Sequence, residues 1–429
     1  MFIESFPDIK VLSDRHVFAR RLALFLSMLI SGGMLLFPRE PILLLIMALC
    51  LMITSIRLLT HRHMFALLIL LAVLLVVTLV RPGPVSVASL VSRFANYLAA
   101  LLLLQCYLSA PAGSLARDLR VLLQPMAWQA IVTVLLAHTV GVLFTPLAIG
   151  EQQYLTLLGL FNYHIIVDGL TSLIRPDGFF FEPGVFQIYL NLYLYLALFV
   201  LRQRLQVVLA VLAVLSTQST TGMVICLLLL GTALFKHLAV GTLRRRAAAA
   251  AIALVLAPPM LYLGYDNITE KLFGAAQGSS WAREYDLLTG MNIVVENPLL
   301  GIGFEVDRYL AASGRFGFAD TLLTMAQSQE RPTSNGLVQL FYSLGIPLGL
   351  VFAFGLFRQK LFRHRTLIGL WLTLSLFGEA LLFTPFFLLI VFSAFLVPAT
   401  RRAWGAPVHQ FVAQPEQLVQ PVRPAQRTS

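Results

Sequence analysis

Twelve apolar runs dominate this chain, at about 20–37, 41–59, 64–80, 87–109, 126–148, 184–201, 205–216, 219–237, 247–264, 335–357, 366–382 and 385–399. Most approach the roughly 20 residues that a helix needs to cross a bilayer's hydrocarbon core. In lipid a backbone must satisfy its own hydrogen bonds, so spanning runs of this kind fold as helices. Composition agrees: 58% of residues are hydrophobic and 12% charged, with a mean hydropathy of +0.83. A soluble chain is nearer half apolar and a quarter charged. A water-soluble enzyme is therefore excluded, and the expected fold is all-α, a polytopic membrane protein of about twelve transmembrane helices.

The run 205–216 is short, since twelve residues of helix rise only about 18 Å. It could merge with 219–237 across the hydroxyl-rich break Ser216-Thr-Gln-Ser-Thr-Thr-Gly222. Charge decides. With twelve spans and both ends inside, 22 of the 31 basic residues fall on the inner side, among them Arg20, Arg21, Arg117, Arg120, Arg202, Lys236, Arg244 to Arg246, Arg363 and Arg402. Eight fall outside, and merging the runs would spoil that asymmetry, so two spans are expected. The net charge of +11 is thereby topological and argues against a nucleic-acid partner. Polar residues 1–16 precede a first run of about 18 residues, which reads as a span and not a cleaved signal. Cys50, Cys106 and Cys226 all sit in apolar runs, so no disulfide framework is implied.

Most acidic residues fall on the outer side, where two loops are long, roughly 149–183 and 265–333. Loops of that length in a compact protein usually carry function. Residues 1–402 thus form one transmembrane domain, and 403–429, rich in Pro, Gln and Val, form a disordered cytoplasmic tail.

Within the first loop, Tyr154–Leu173 suits a short helix on the membrane surface, with His164 and Asp168 on one face. No set of metal ligands at suitable spacing accompanies them. Next comes Arg175-Pro-Asp-Gly-Phe-Phe-Phe-Glu-Pro-Gly-Val-Phe-Gln187, a shaped turn whose Pro183 suits the first turn of a helix. Arg175 and Glu182 stand at its lip. An interfacial arginine also snorkels to headgroups, and a carboxylate is at home beside a helix N-terminus. The second loop offers Trp281 and Arg283 ahead of a helix ending at Asn297-Pro298, then a tight Gly301-Ile-Gly303 turn, and Arg331 just before Asn335. Two charges lie within spans, Arg93 and Glu379; intramembrane charges are usually paired or functional, and an Arg93–Glu379 ion pair is one reading.

Phe180-Phe-Glu-Pro183, the break at 216–222, Arg283 before Asn297-Pro-Leu-Leu-Gly-Ile-Gly303, and Ser334-Asn-Gly-Leu-Val-Gln339 followed by Leu344-Gly-Ile346 occur here in an order that resembles the O-antigen ligase/polymerase superfamily. The likeness covers roughly residues 20–400 and is strongest to Wzy-type polysaccharide polymerases. Two departures stand out: Thr220 occupies a position where the break usually carries arginine, and Ser334 one where ligases place histidine.

The resemblance implies a membrane glycosyltransferase of GT-C-like type, metal-independent and without cofactor, acting in the bacterial inner membrane. Its partners would be a polyprenyl-diphosphate-linked glycan donor and acceptor, the lipid bilayer, a chain-length regulator and a flippase. Glu182, Arg175 and Arg283 are the expected catalytic residues; Arg331, Asn335, Arg93 and His164 are the expected substrate contacts. The chemistry fits these types. Arginine forks match diphosphate oxygens and stabilise the charge that grows on a leaving diphosphate. A carboxylate draws the proton from an acceptor hydroxyl. Alternatives are a ligase passing finished polymer to a lipid A core, and a non-enzymatic transporter, since interrupted helices occur in transporters.

Overall fold

The computed structural model describes residues 14–33, 38–54, 69, 72–76, 78, 80, 86–149, 152–168, 171–240, 269, 277–317 and 333–397. The expected span at 247–264, most of that at 64–80, the tail 403–429 and Arg331 lie outside the described residues.

Helices dominate. In chain order they are α1 (Asp14–Ile30), α2 (Arg39–Ile53), α3 (Val87–Ser109), α4 (Ser114–Val140), α5 (Pro183–Tyr195), α6 (Arg204–Ser216), α7 (Thr220–Val240), α8 (Gln277–Glu296), α9 (Val306–Ser313), α10 (Gly336–Arg358), α11 (Arg365–Gly378) and α12 (Pro385–Leu396). Among the described residues, four helical stretches are long and apolar enough to cross a membrane: Val87–Ser109, Ser114–Leu143, Pro183–Leu201 and Gly336–Arg358.

The centre is α5, which carries on as a π-helix to Leu201. Every residue from Val185 to Tyr195 is buried, because α4, α6, α7 and α11 all pack on it. A helix apolar all round belongs in such a place. Phe180 opens it, stacking on Tyr189 at 4.5 Å and on Phe186 at 5.6 Å, and Tyr189 donates to the Ser31 carbonyl at 2.9 Å. These aromatic rings are internal packing. Small residues let backbones approach where lipid offers little drive for association. A Cβ at Gly222 would meet Gln187 Cβ at 2.9 Å, and one at Gly355 would meet Val391 Cγ1 at 2.6 Å.

The doubtful stretch 205–237 is two helices. Gln218 turns the chain with φ +50°, and Arg175 Nε donates to the Thr217 carbonyl at 3.1 Å, so the turn lies beside the first long loop. At the far end Lys236 sits 5.0 Å from the Phe199 ring and interacts with Arg202 and Arg363. The two helices are therefore antiparallel. Lys236, Arg202 and Arg363 thus lie near one another. A second such group joins α1 to α4, where Asp118 accepts from Arg20 Nε at 2.7 Å, Arg21 Nε at 2.9 Å and Tyr107 Oη at 3.2 Å.

The first long loop departs from the helical expectation. Instead of a surface helix over Tyr154–Leu173, residues 145–176 form a four-stranded antiparallel sheet in the order β1 (Thr145–Ile149), β2 (Gln152–Leu157), β3 (Phe161–Asp168), β4 (Thr171–Pro176). The alternation of apolar and polar residues there has period two, which suits a strand, and Ile165-Ile-Val167 with Thr171 are β-branched. Leu158 and Gly159 both take positive φ in the three-residue turn that joins Leu157 to its cross-strand partner Phe161. The sheet leans on α4 through Phe144, Tyr163 and Ala137.

The Gly301-Ile-Gly303 turn has a structural task. Gly345 breaks α10 with φ +76°, and Pro347 lacks an N–H. The carbonyls so freed are taken up: Ile302 N donates to Tyr342 O at 2.7 Å, and Gly303 N to Ser343 O at 3.1 Å. A Cβ on Gly301 would lie 2.3 Å from Tyr342 O, at a backbone φ of +65°. Gly301→Val should therefore cost on the order of 3 kcal/mol. Gly231→Ala, at a helical site with nothing within 4 Å, should be neutral or stabilising. Thermal unfolding of both variants in detergent reads the difference.

Candidate active site

The start of α5, the end of α11 and the first turns of α8 bring three charged side chains together. Glu182 is the N-cap residue of α5, yet its side chain makes no capping bond; its carbonyl alone accepts from Val185 N and Phe186 N, each at 3.1 Å. Its carboxyl faces that of Glu379, the first residue beyond the end of α11, across Gly184, and the two acids interact. Two carboxylates this close repel when both are ionised, and a proton shared between them relieves that repulsion. Arg283 faces the pair from α8. Gly184 makes the approach feasible: a Cβ there would sit 2.5 Å from Glu379 Oε1 and 3.7 Å from Glu182 Cδ.

Arg283 rides on α8 with its guanidinium over the α11 terminus, where a Cβ on Gly378 would be 3.7 Å from Nη2. What holds α8 there is Asp286, wholly buried, which accepts from Ser334 N at 2.8 Å and Ser334 Oγ at 2.7 Å. Gly290 lets α8 press on Val338 of α10. Asn335 caps α10, its Oδ1 accepting from Leu337 N and Val338 N, each at 3.1 Å. The next residue, Gly336, packs on the Glu379 carbonyl, which a Cβ would approach to 2.4 Å.

A second group adjoins the first. His164 and Arg175 are cross-strand partners of β3 and β4. His164 Nδ1 donates to Asp177 Oδ1 at 2.8 Å, the tautomer being set by the acceptor carboxylate. Asp177 is fully buried, and burial lifts it to about 6 against the pull of His164 and Arg175, while Glu182 pushes in the same upward direction. Tyr154 Oη donates to the Phe181 carbonyl at 2.8 Å and interacts with both Asp177 and Glu182. The interacting charges run Arg175, Asp177, Glu182, Glu379, Arg283 without a break.

Stability should follow the Asp177 titration. Its folded value lies above the ordinary one of 3.8, so its contribution is fully present below that pH and is lost as pH rises through about 6. A shift of this size is worth on the order of 3 kcal/mol. Asp177→Asn, unable to ionise, should flatten the fall of melting temperature between roughly pH 4 and 6.5. An unchanged slope would remove Asp177 as its source.

Of the residues expected from sequence, Glu182 and Arg283 meet through Glu379, Arg175 and His164 through Asp177, and Asn335 caps α10 one residue before Gly336, which packs on the Glu379 carbonyl. Arg93 does not join them. The Arg93–Glu379 pairing is replaced by Arg93 Nη2 donating to the Phe304 carbonyl at 2.8 Å, lying 3.8 Å from Glu305, with the guanidinium 4.5 Å over the Phe304 ring. Glu305, the N-cap residue of α9, supplies the carboxylate instead. His164 likewise pairs with Asp177, four strand positions and a turn away from Asp168 in register. Sequence reasoning missed Asp177, which looked like an ordinary Pro-Asp-Gly turn residue. The expense of an intramembrane charge did flag Glu379, though not its partner.

Fold and site together define a mostly helical integral membrane protein with a close pair of carboxyl groups faced by an arginine. Residues 205–353, from α6 into α10, match the O-antigen ligase family. That match supports membership in the O-antigen ligase/polymerase superfamily. The matched stretch holds Arg283 and Asn335; Glu182 and Glu379 lie outside it. No curated protein and no solved structure matches.

Proposed function

We propose that this protein polymerises lipid-linked oligosaccharide repeat units at the periplasmic face of the bacterial inner membrane, within a topology of about twelve spans and cytoplasmic termini. The observation that carries the reading is the Glu182–Glu379 pair facing Arg283 at the end of the bundle where the long loops gather. A diphosphate on a polyprenyl carrier is the leaving group, and its growing charge calls for guanidinium donors, Arg283 and Arg175. The nucleophile is a sugar hydroxyl of the acceptor glycan, and Glu182 takes its proton.

The superfamily match supports transfer from a polyprenyl-linked glycan and is shared by ligases and polymerases alike. The name of the matched family favours the ligase alternative. Against it, Ser334 stands where ligases of this group place histidine, and its hydroxyl is spent on Asp286. Purified protein in bilayers, given lipid-linked repeat units alone, should lengthen them. A protein inert until a lipid A core is added is a ligase, and one that forms no linkage with either acceptor refutes the proposal.

A further inference from the structure

We propose that Glu379 is the positioning residue for Glu182, a protonated carboxyl that donates a hydrogen bond to the Glu182 carboxylate and fixes the oxygen that receives the acceptor's proton. The inference rests on the transferase reading above and adds a role for a residue outside the matched family stretch.

Three geometric facts carry it. Glu379 is 5% exposed and lies past the end of α11, so its position is set by packing and not by a helix it terminates. Its carbonyl accepts from Leu381 N at 3.0 Å and is backed by Gly336, so the backbone that carries the carboxyl is held in place. Glu182, for its part, leaves the α5 N–H groups uncapped by its side chain and meets Glu379 across the bare Cα of Gly184. An acid that gave up its natural capping bond for another acid needs a proton between the two. The charged and titratable groups facing the pair are Arg283 from α8, on the Glu379 side, and Asp177 and Tyr154 from the sheet region, on the Glu182 side.

The step balances as follows. Before transfer the pair holds one proton and a single negative charge. The acceptor oxygen forms its bond to the anomeric carbon and its proton passes to Glu182, while the bond from that carbon to the diphosphate oxygen breaks and its electrons leave with the lipid diphosphate. The pair now holds two protons and returns one to the aqueous side. Arg283, which favours the ionised pair, drives that return.

The test uses full-length protein in bilayers with a lipid-linked repeat-unit substrate, and infrared difference spectroscopy of the protonated carboxyl band. Glu379→Gln keeps a donor, so it should retain transfer within about tenfold. It should lose the infrared band. It should also abolish the alkaline fall in rate that the wild type shows when the shared proton departs. Glu379→Ala should lose a further tenfold or more, and Gly184→Ala, which displaces Glu379 without removing it, should fall between the two. Glu379→Ala matching wild type in rate and pH profile would overturn the role, as would Glu379→Gln being as inactive as Glu379→Ala. Wild-type protein that forms no linkage would sink the functional reading instead, and the infrared band would still report whether the pair shares a proton.

Discussion

Glu182→Gln protein is expected to fold, insert and form no polymer, with linkage formation down by about 10²–10⁴-fold. The amide is nearly the size of the carboxylate and its oxygen still accepts from Glu379, so the contact that seats Glu379 survives. Because the Glu182 side chain makes no capping bond, the helix start loses nothing. What disappears is the capacity to take a proton from a sugar hydroxyl. The measurement is turnover of lipid-linked substrate by the variant in bilayers, beside a size-exclusion profile that matches wild type. Full turnover would leave Glu182 a structural residue and move the search for a base to His164, which Asp177 already orients.

The second large effect belongs to Arg283. Arg283→Ala should reduce transfer by about 10²–10³-fold, the usual loss when one preorganised donor to a transition-state charge is removed. Lysine should not restore it, because a point charge lacks the planar fork that meets two diphosphate oxygens at once. This variant is clean for a structural reason: α8 is tied to α10 by Asp286 and Ser334, not by Arg283. Arg175 is a less direct probe, since its Nε bonds the Thr217 carbonyl and its loss disturbs the α6–α7 turn as well as any substrate contact. Comparable rates for Arg283→Ala and Arg283→Lys, both near wild type, would place the diphosphate elsewhere.

Glu379 illustrates where sequence reasoning stops. Its cost in an apolar setting marks it as paired, but Arg93 and Glu182 are both plausible mates along a chain, and pairing is decided by which helix ends meet. Asp177 was hidden by the opposite effect: in Arg-Pro-Asp-Gly it looks like a turn former, and only the hairpin β3–β4 brings His164 to it. The sheet itself was misread because a period-two pattern beside a membrane surface was matched to an amphipathic helix. The Gly301 and Gly345 turns were visible as breakers, yet the reason for them, one backbone supplying the N–H groups that another lost, needs both strands of chain in view.

By itself the amino-acid order determined the class: apolar runs of spanning length, few charges between them, and a motif order that resembles one superfamily. Those properties are local, fixed by the cost of placing peptide groups and charges in lipid. Tertiary structure alone decided that Glu182 faces Glu379 and not a cation, that Arg93 goes to Glu305, and that Asp177 orients His164. Each of those contacts joins residues far apart in the chain, and such contacts depend on how close two backbones can come, which here turns on glycines 184, 290 and 336.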